Sequence, residues 1–289
     1  MIFVTGATGF VGRSVMAQLE RAGMEVRAHN GRINDPHSLR QQLEGVDTVI
    51  HLAGIEGRGR NRQLRHTDLD GTRRLLEECD RAGVTHIIYL SRINADHNAL
   101  HTLLKIKGET EQVIRANPVP YTIIRAAMLY GRGDRFSEML VGAMLWGWPF
   151  VWLPGGGKSV MQPLWVEDGA RCLIAAVQQP QFFNKTITIA GEEMFRTEQV
   201  TQLFLRTLRV RRIPVALPMT LTRPFSALLF SWWRWPPFTR YAVDRLFVPE
   251  TAVRDSVMSQ FNFRPARMRD TISYLRRPGM RRRFFRRRG

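Results

Sequence analysis

Cysteine is nearly absent from this chain, which has only Cys79 and Cys172. Both fall in stretches that read as helices, and neither has a metal-ligand spacing. This excludes a disulfide framework and a cysteine-built metal site, and predicts a reducing compartment. Lysine is almost as scarce: of 43 basic residues only Lys105, Lys107, Lys158 and Lys185 are lysine, and the rest are arginine. Long apolar runs are missing too. The strongest, residues 225–235, is too short to span a bilayer and lies between Pro224 and Pro236, so no transmembrane span is expected. No targeting peptide is expected either, because the first core-like run begins at Ile2. Internal repeats are not apparent.

What the chain does have is positive charge. With 25 acidic residues the net charge is +18, which favours phosphate-rich or acidic partners such as anionic lipid, nucleic acid or an acidic protein. A length of 289 residues allows a large core and suits one α/β domain with a smaller appendage.

Residues 2–12 read Ile-Phe-Val-Thr-Gly-Ala-Thr-Gly-Phe-Val-Gly. An apolar run ends in Gly6, Gly9 and Gly12, and a helical pattern follows with Val11, Val15, Leu19 and Ala22 on one face and Gly23 to close it. A strand, a turn without Cβ atoms and a helix N-terminus together cradle a pyrophosphate, because the backbone can approach it and free N–H groups meet its charge.

Short apolar runs then alternate with helical patterns, which predicts a parallel sheet wrapped by helices. Strands are expected at 2–5, 25–28, 47–53, 85–91 and 121–130. Helices are expected at 36–44, capped by Asp35 with Pro36 in the first turn, at 68–82 and at 101–116. One piece is too short. Asn30-Gly31 reads as a turn, and the next helix starts by Pro36, so the crossover and third strand of a mononucleotide fold have no room. Past residue 150, helices at 166–178 and 197–208 and strands at 186–190 and 210–216 suggest a smaller α/β domain. The expected division is 1–150 for a dinucleotide-binding Rossmann domain, 151–275 for a C-terminal domain with elements that can interleave, and 276–289 for a basic tail.

Several segments together resemble the extended and atypical short-chain dehydrogenase/reductases. They are Thr5-Gly-Ala-Thr-Gly-Phe-Val-Gly12, Asp47-Thr-Val-Ile-His-Leu-Ala-Gly54, Asp70-Gly-Thr-Arg-Arg-Leu-Leu76, Tyr89-Leu-Ser91, Tyr121-Thr-Ile-Ile-Arg125, Tyr130-Gly-Arg-Gly-Asp134, Leu153-Pro-Gly-Gly-Gly157 and Gln162-Pro-Leu-Trp-Val-Glu-Asp168. The likeness covers about residues 2–275. It is strongest to the atypical subgroup that contains the NADPH-carrying accessory subunit of respiratory complex I and its bacterial relatives.

The resemblance implies a pyridine nucleotide held by Gly6, Thr8, Gly9, Phe10, Val11 and Gly12, by Leu52, Ala53 and Gly54, and by Ser91 and Lys107. In the superfamily a Tyr-x-x-x-Lys pair works on one helix face, with tyrosine as general acid/base and lysine on the nicotinamide ribose. A serine completes the site. Here Lys107 takes the lysine position and Ser91 the serine region, but the tyrosine position is Leu103. Leucine carries no proton. His101 lies two residues away on the helix and points elsewhere. His97, Tyr89, Tyr121 and Tyr130 offer no derivable geometry. General acid catalysis is worth about 10²–10⁴-fold, so its loss favours a cofactor held as a structural or sensing element. The segment Arg27-Ala-His-Asn-Gly-Arg32 after the second strand has no acid for a ribose 2′-hydroxyl. Its Arg27 and Arg32 suit a 2′-phosphate, so NADP(H) is expected over NAD(H).

Trp232, Trp233 and Trp235 with Arg234 and Arg240, and the tail after Arg276, fit an anionic membrane surface or docking on a membrane complex. Residues 225–240 and 276–289 are the candidate contact segments. The predicted role is a non-catalytic NADP(H)-binding accessory, assembly or sensing protein. Its predicted place is the cytoplasm, peripheral to the inner face of a bacterial membrane. An active oxidoreductase or sugar-nucleotide epimerase with a substitute acid is the alternative. RNA binding ranks lower, because basic and stacking residues interleave only near the C-terminus.

Overall fold

The computed structural model describes residues 1–55, 61–146, 149–218 and 248–276. Of the candidate contact segments 225–240 and 276–289, all but Arg276 lies outside the described residues. The first elements are β1 (Ile2–Thr5), α1 (Phe10–Arg21), β2 (Val26–Ala28), α2 (Pro36–Gln42) and β3 (Thr48–His51). Then come α3 (Asn61–Leu64), a π-helical stretch (Arg65–Asp70), α4 (Gly71–Arg81), β4 (His86–Arg92), α5 (Thr102–Arg115) and β5 (Tyr121–Ala126). The second half holds β6 (Leu129–Tyr130), α6 (Arg135–Trp146), β7 (Phe150–Pro154), β8 (Val160–Met161), β9 (Leu164–Trp165) and α7 (Val166–Gln178). It ends with β10 (Lys185–Ile189), β11 (Phe195–Arg196), α8 (Thr197–Leu208), β12 (Ile213–Leu217), α9 (Ser256–Phe261) and α10 (Met268–Thr271).

The main sheet has the order β10-β5-β4-β3-β1-β2, and every pairing in it is parallel. This is a Rossmann-type sheet. Strand β2 is its edge, and the chain passes from β2 to α2 and on to β3 with no strand outside β2 among the described residues. The short connection is braced by one side chain. Gln42 accepts from the Asn30 N–H at 2.9 Å and donates to the Asn30 carbonyl at 2.8 Å and to Ser38 Oγ at 2.7 Å. Asp35 caps α2 by accepting from the His37 and Ser38 N–H groups.

Each face of the sheet buries its own core. On one face, Val15 and Leu19 of α1 meet Ala170, Leu173 and Ala176 of α7 over Val4, Ile88 and Ile124. On the other, Leu39, Leu75, Leu76 and Ile114 from α2, α4 and α5 cover Phe3, Val49, Ile87 and Ile123. A separate apolar cluster joins Phe136 and Leu140 to Val151, Phe204, Met268 and Leu275. Strand β10 and helix α7 belong to the sheet although they follow residue 150, so second-half elements interleave with the first half.

Two local expectations need correction. The run 121–130 is not one strand. The main-sheet pairing ends with the Ala127 N–H to Ile189 O bond, and Met128 O then receives Leu164 N–H, where β6 begins to pair with β9. The helix expected over 68–82 starts at Gly71, preceded by the π-helical stretch.

Gly12 shows why the first turn takes this shape. A Cβ there would stand 2.1 Å from the Gly6 carbonyl oxygen and 2.7 Å from Ala7 Cα. Gly12→Ala is expected to lower stability by about 3 kcal/mol, measured by urea unfolding. An unchanged midpoint would show that the turn has slack.

Candidate functional site

The glycine turn meets the end of β3 backbone to backbone. Gly6 has φ +70°, and a Cβ on it would lie 2.7 Å from the Leu52 carbonyl and 2.8 Å from Ala53 N. Gly9 is the N-cap of α1, with no side-chain cap and no acidic residue in the first turn. The N-terminus of a twelve-residue helix thus opens on a surface made of backbone. That fits a pyrophosphate, which brings its own negative oxygens to unsatisfied N–H groups and the positive helix end. Thr8 and Gly9 are exposed there, Phe10 and Val11 are half-buried, and Gly12 is buried.

A hydrogen-bond chain holds this edge of the sheet. Thr5 Oγ1 accepts from the N–H groups of Leu52 and Ala53, each at 3.2 Å, and so gives its own proton to His51 Nδ1 at 2.7 Å. Thr72 donates to the Asp68 carbonyl, so its oxygen accepts from His51 Nε2–H at 2.9 Å. The bond directions fix His51 as a neutral ring. Burial, with the Lys107 charge nearby, holds its pKa down to about 3. Ile55 N–H donates to Asp68 Oδ1, which orders the segment after Gly54.

The catalytic-type positions are turned inward. Ser91 is buried and donates its hydroxyl to Glu111 Oε1 at 2.6 Å. Glu111 is fully buried between two guanidiniums. Arg125 approaches through Nε at 2.9 Å and Nη2 at 2.7 Å, and Arg115 through Nη2 at 2.7 Å. Lys107 is also buried. Its Nζ lies 3.4 Å from the Leu90 carbonyl and 4.9 Å above the Tyr89 ring. Tyr89 stacks on His51, and burial pushes its phenol up to about 12. Leu103 packs in an apolar cluster with Leu64, Leu69 and Ile106.

On the adenine side, Arg27 donates to the carbonyls of Gln42 at 2.6 Å and Glu44 at 3.0 Å, so it closes the end of α2. Arg32 is exposed and is the cation of that pair that remains open to solvent. The structure thus places Gly6–Gly12, Leu52–Gly54 and Ser91 at the C-terminal ends of β1, β3 and β4, with Lys107 against the end of β4 and Arg27 committed elsewhere.

Sequence reasoning missed several partners. Arg13 reaches back to the Thr8 carbonyl at 2.8 Å, and a Cβ on Gly133 would lie 3.1 Å from Arg13 Nη2, so the loop after β6 abuts the glycine turn. Asp134 in that loop accepts from the Gly131 N–H at 2.7 Å and from the Tyr274 hydroxyl at 3.1 Å. Glu167 accepts from Ser14 and Gln18, which ties α7 to α1. The motif segments marked Asp134 and Glu167 without naming what they hold.

Comparison with known proteins agrees with this geometry. Residues 25–138 match the family model described as NAD(P)H-binding. Over those residues the chain is similar to NAD(P)H-binding proteins. It is 25% identical over 280 residues to the mitochondrial NADH dehydrogenase (ubiquinone) 1 alpha subcomplex subunit 9 of Mus musculus, covering 87% of this chain and 73% of that one. It is 24% identical over 305 residues to the photosystem II assembly factor Ycf39 of Synechocystis, covering 95% and 89%. The structure of MoeE5 in complex with UDP-glucose and NAD superposes with a TM-score of 0.75 at 18% identity, covering 98% of this chain and 99% of that one. That likeness establishes the fold.

Two predictions follow from the buried polar groups. Glu111→Gln leaves two guanidiniums facing a neutral amide and is expected to cost about 3 kcal/mol, whereas Ser91→Ala costs about 1 kcal/mol. Urea unfolding of both variants checks the order, and a larger cost for Ser91→Ala would contradict it. Histidine titration gives the second. His86 donates to Thr122, and burial lowers its pKa to about 4. The unfolded chain protonates both His51 and His86 near pH 6.5, while the folded chain resists until near 3 and 4. Stability is therefore complete above pH 6.5 and falls on acidification, by about 1.4 kcal/mol per pH unit per histidine. His86→Gln is expected to remove one share of that slope between pH 6 and 4.5 in unfolding midpoints.

Proposed function

We propose that this protein holds NADP(H) without turning it over, as an accessory, assembly or sensing component of a membrane-associated respiratory or quinone-related complex. One observation carries the reading: the three positions that run hydride chemistry in the superfamily serve the interior here. Leu103 fills an apolar cluster, the Ser91 hydroxyl is given to Glu111, and the Lys107 amine faces the Leu90 carbonyl and the Tyr89 ring. The cradle at Gly6–Gly12 stays intact. When bound, the nucleotide would supply a nicotinamide capable of accepting or giving hydride. The residues around it would bind its pyrophosphate at Gly9–Phe10. Exposed Arg32 favours a 2′-phosphate and hence NADP(H). In this division residues 1–150 hold the nucleotide, while the second core draws on residues from both sides of residue 150.

The relatives support an accessory role, since one is a subunit of a respiratory dehydrogenase and another an assembly factor. Among the described residues no helix is long and apolar enough to cross a membrane. Peripheral contact through 225–240 and 276–289, at the cytoplasmic face, suits the net charge of +18.

An active oxidoreductase or epimerase is the competing reading. Tyr89 beside Lys107 is its one structural support, but that phenol is 1% exposed and cannot meet a substrate. Native purification followed by mass spectrometry of released nucleotide separates the two. The expected result is retained NADP(H) whose absorbance at the reduced nicotinamide band is unchanged by carbonyl compounds or sugar nucleotides. Turnover with either class would overturn the proposal. Leu103→Tyr is expected to restore no activity, because the lysine it would need is turned inward.

A further inference from the structure

Strands β7 and β12 pair in parallel, with Phe150 opposite Ile213 and Trp152 opposite Val215. Paired residues of a ribbon project to the same side, as do alternate residues along each strand. These four therefore share one face. Ile213 is 57% exposed, Trp152 42% and Phe150 38%, so the face presents large apolar side chains to solvent. Phe150 and Trp152 rings lie 6.1 Å apart. A hydrophobic strip of this kind is costly to leave in water.

The margin of the strip is cationic. A groove of about 580 Å³ runs along the end of α8 and the start of β12, lined by Gln202, Arg206, Arg209, Arg211, Arg212 and Pro214 among others, and none of its lining residues is acidic. Arg212 is used structurally, donating to the Met144 carbonyl at 2.8 Å. Arg206, Arg209 and Arg211 are exposed. They sit at a helix C-terminus, where a cation is stable without an acidic partner.

Chain connectivity points to the same place. Strand β12 leads directly into residues 219–247. Arg276, the last described residue before the tail, donates to the Thr207 carbonyl in the final turn of α8. The described chain thus ends at Arg276 beside the last turn of α8.

We propose that the β7–β12 ribbon and the arginine-rich end of α8 form a docking surface for an anionic phospholipid bilayer. Apolar side chains beside arginines match an acyl boundary beneath phosphate headgroups. A soluble phosphate would use the charges and leave the strip in water. An RNA would use the rings and the charges but gain little from Ile213. The inference rests on the membrane reading above and adds which surface makes contact.

Sedimentation of the full-length protein with two vesicle types tests it. One is pure phosphatidylcholine, and the other contains about one third phosphatidylglycerol. The wild type is expected to pellet only with the anionic vesicles. Arg206→Gln/Arg209→Gln/Arg211→Gln is expected to weaken partitioning by roughly tenfold or more, consistent with three lost interfacial charges. Ile213→Asp, at an exposed position, is expected to act in the same direction. Thermal midpoints and retained nucleotide should match the wild type in both variants.

A full-length Arg281→Gln/Arg282→Gln/Arg283→Gln variant separates the surface from the tail. If that variant alone loses binding, the ribbon surface is wrong and the membrane reading stands. If the wild type pellets with neither vesicle, both fall. Binding to single-stranded RNA at the same salt that the triple Arg206/Arg209/Arg211 variant abolishes, without effect on vesicles, would reassign the face to nucleic acid.

Discussion

The backbone contact between the glycine turn and the end of β3 is the constraint on which the candidate site depends. Gly6 can approach Leu52 and Ala53 only because it lacks a Cβ, and Gly12 lets α1 start directly over the same turn. Thr5 fixes the approach, because its hydroxyl oxygen takes the Ala53 N–H and shares the Leu52 N–H with its own backbone carbonyl. His51 then passes the bonding on to Thr72 and so to the π-helical stretch. A buried polar chain is stable only when each member has a partner, and here the bond directions leave none of Thr5, His51 and Thr72 short. The rigid edge that results is what a pyrophosphate needs, since little has to reorganise when it arrives.

The same economy explains the fate of the catalytic-type positions. Glu111 is fully buried, and a carboxylate in that place is costly unless it is well paired. Arg125, Arg115 and Ser91 supply its partners. A serine so used has donated the proton that a catalytic serine would offer a substrate. Lys107 lies one turn before Glu111 on α5, and its amine turns to the Leu90 carbonyl and the Tyr89 face. With Leu103 joining Leu64 and Leu69, the helix surface that would read a substrate is committed to the protein itself. Leu103, Lys107 and Glu111 thus commit one face of α5 to the protein's interior.

Much of this was legible in the chain. The glycine spacing, the Asp35–Pro36 start of α2 and the missing room after β2 are local signals, and local signals survive folding. Leu103 was legible because the lysine that defines its register is still present. The direction of Ser91 was not, since its partner lies twenty residues on and meets it only after β4 and α5 pack. Arg27 was misleading for a similar reason: its place after the second strand suited a phosphate, but the end of α2 lies nearer and has two open carbonyls. The break after Ala126 was hidden because apolar residues continue through Met128, and the partner that takes over there, Leu164, lies far along the chain.

The shortened adenine side has a structural cost that the fold meets locally. Without a third strand, β2 becomes an edge, and an edge invites pairing with another chain. Here it is three residues long, and the chain leaves it at once. Gln42 holds the departing loop through Asn30, Ile33 is buried against Gly71 at the start of α4, and Arg74 donates to the Asn34 carbonyl. The loop that replaces the lost strand is thus fixed at both ends, to α2 and to α4. Its polar groups are used in bracing, and the exposed cation it offers is Arg32. A loop braced this way is rigid, but it lacks the extended surface that a further strand would add beside β2.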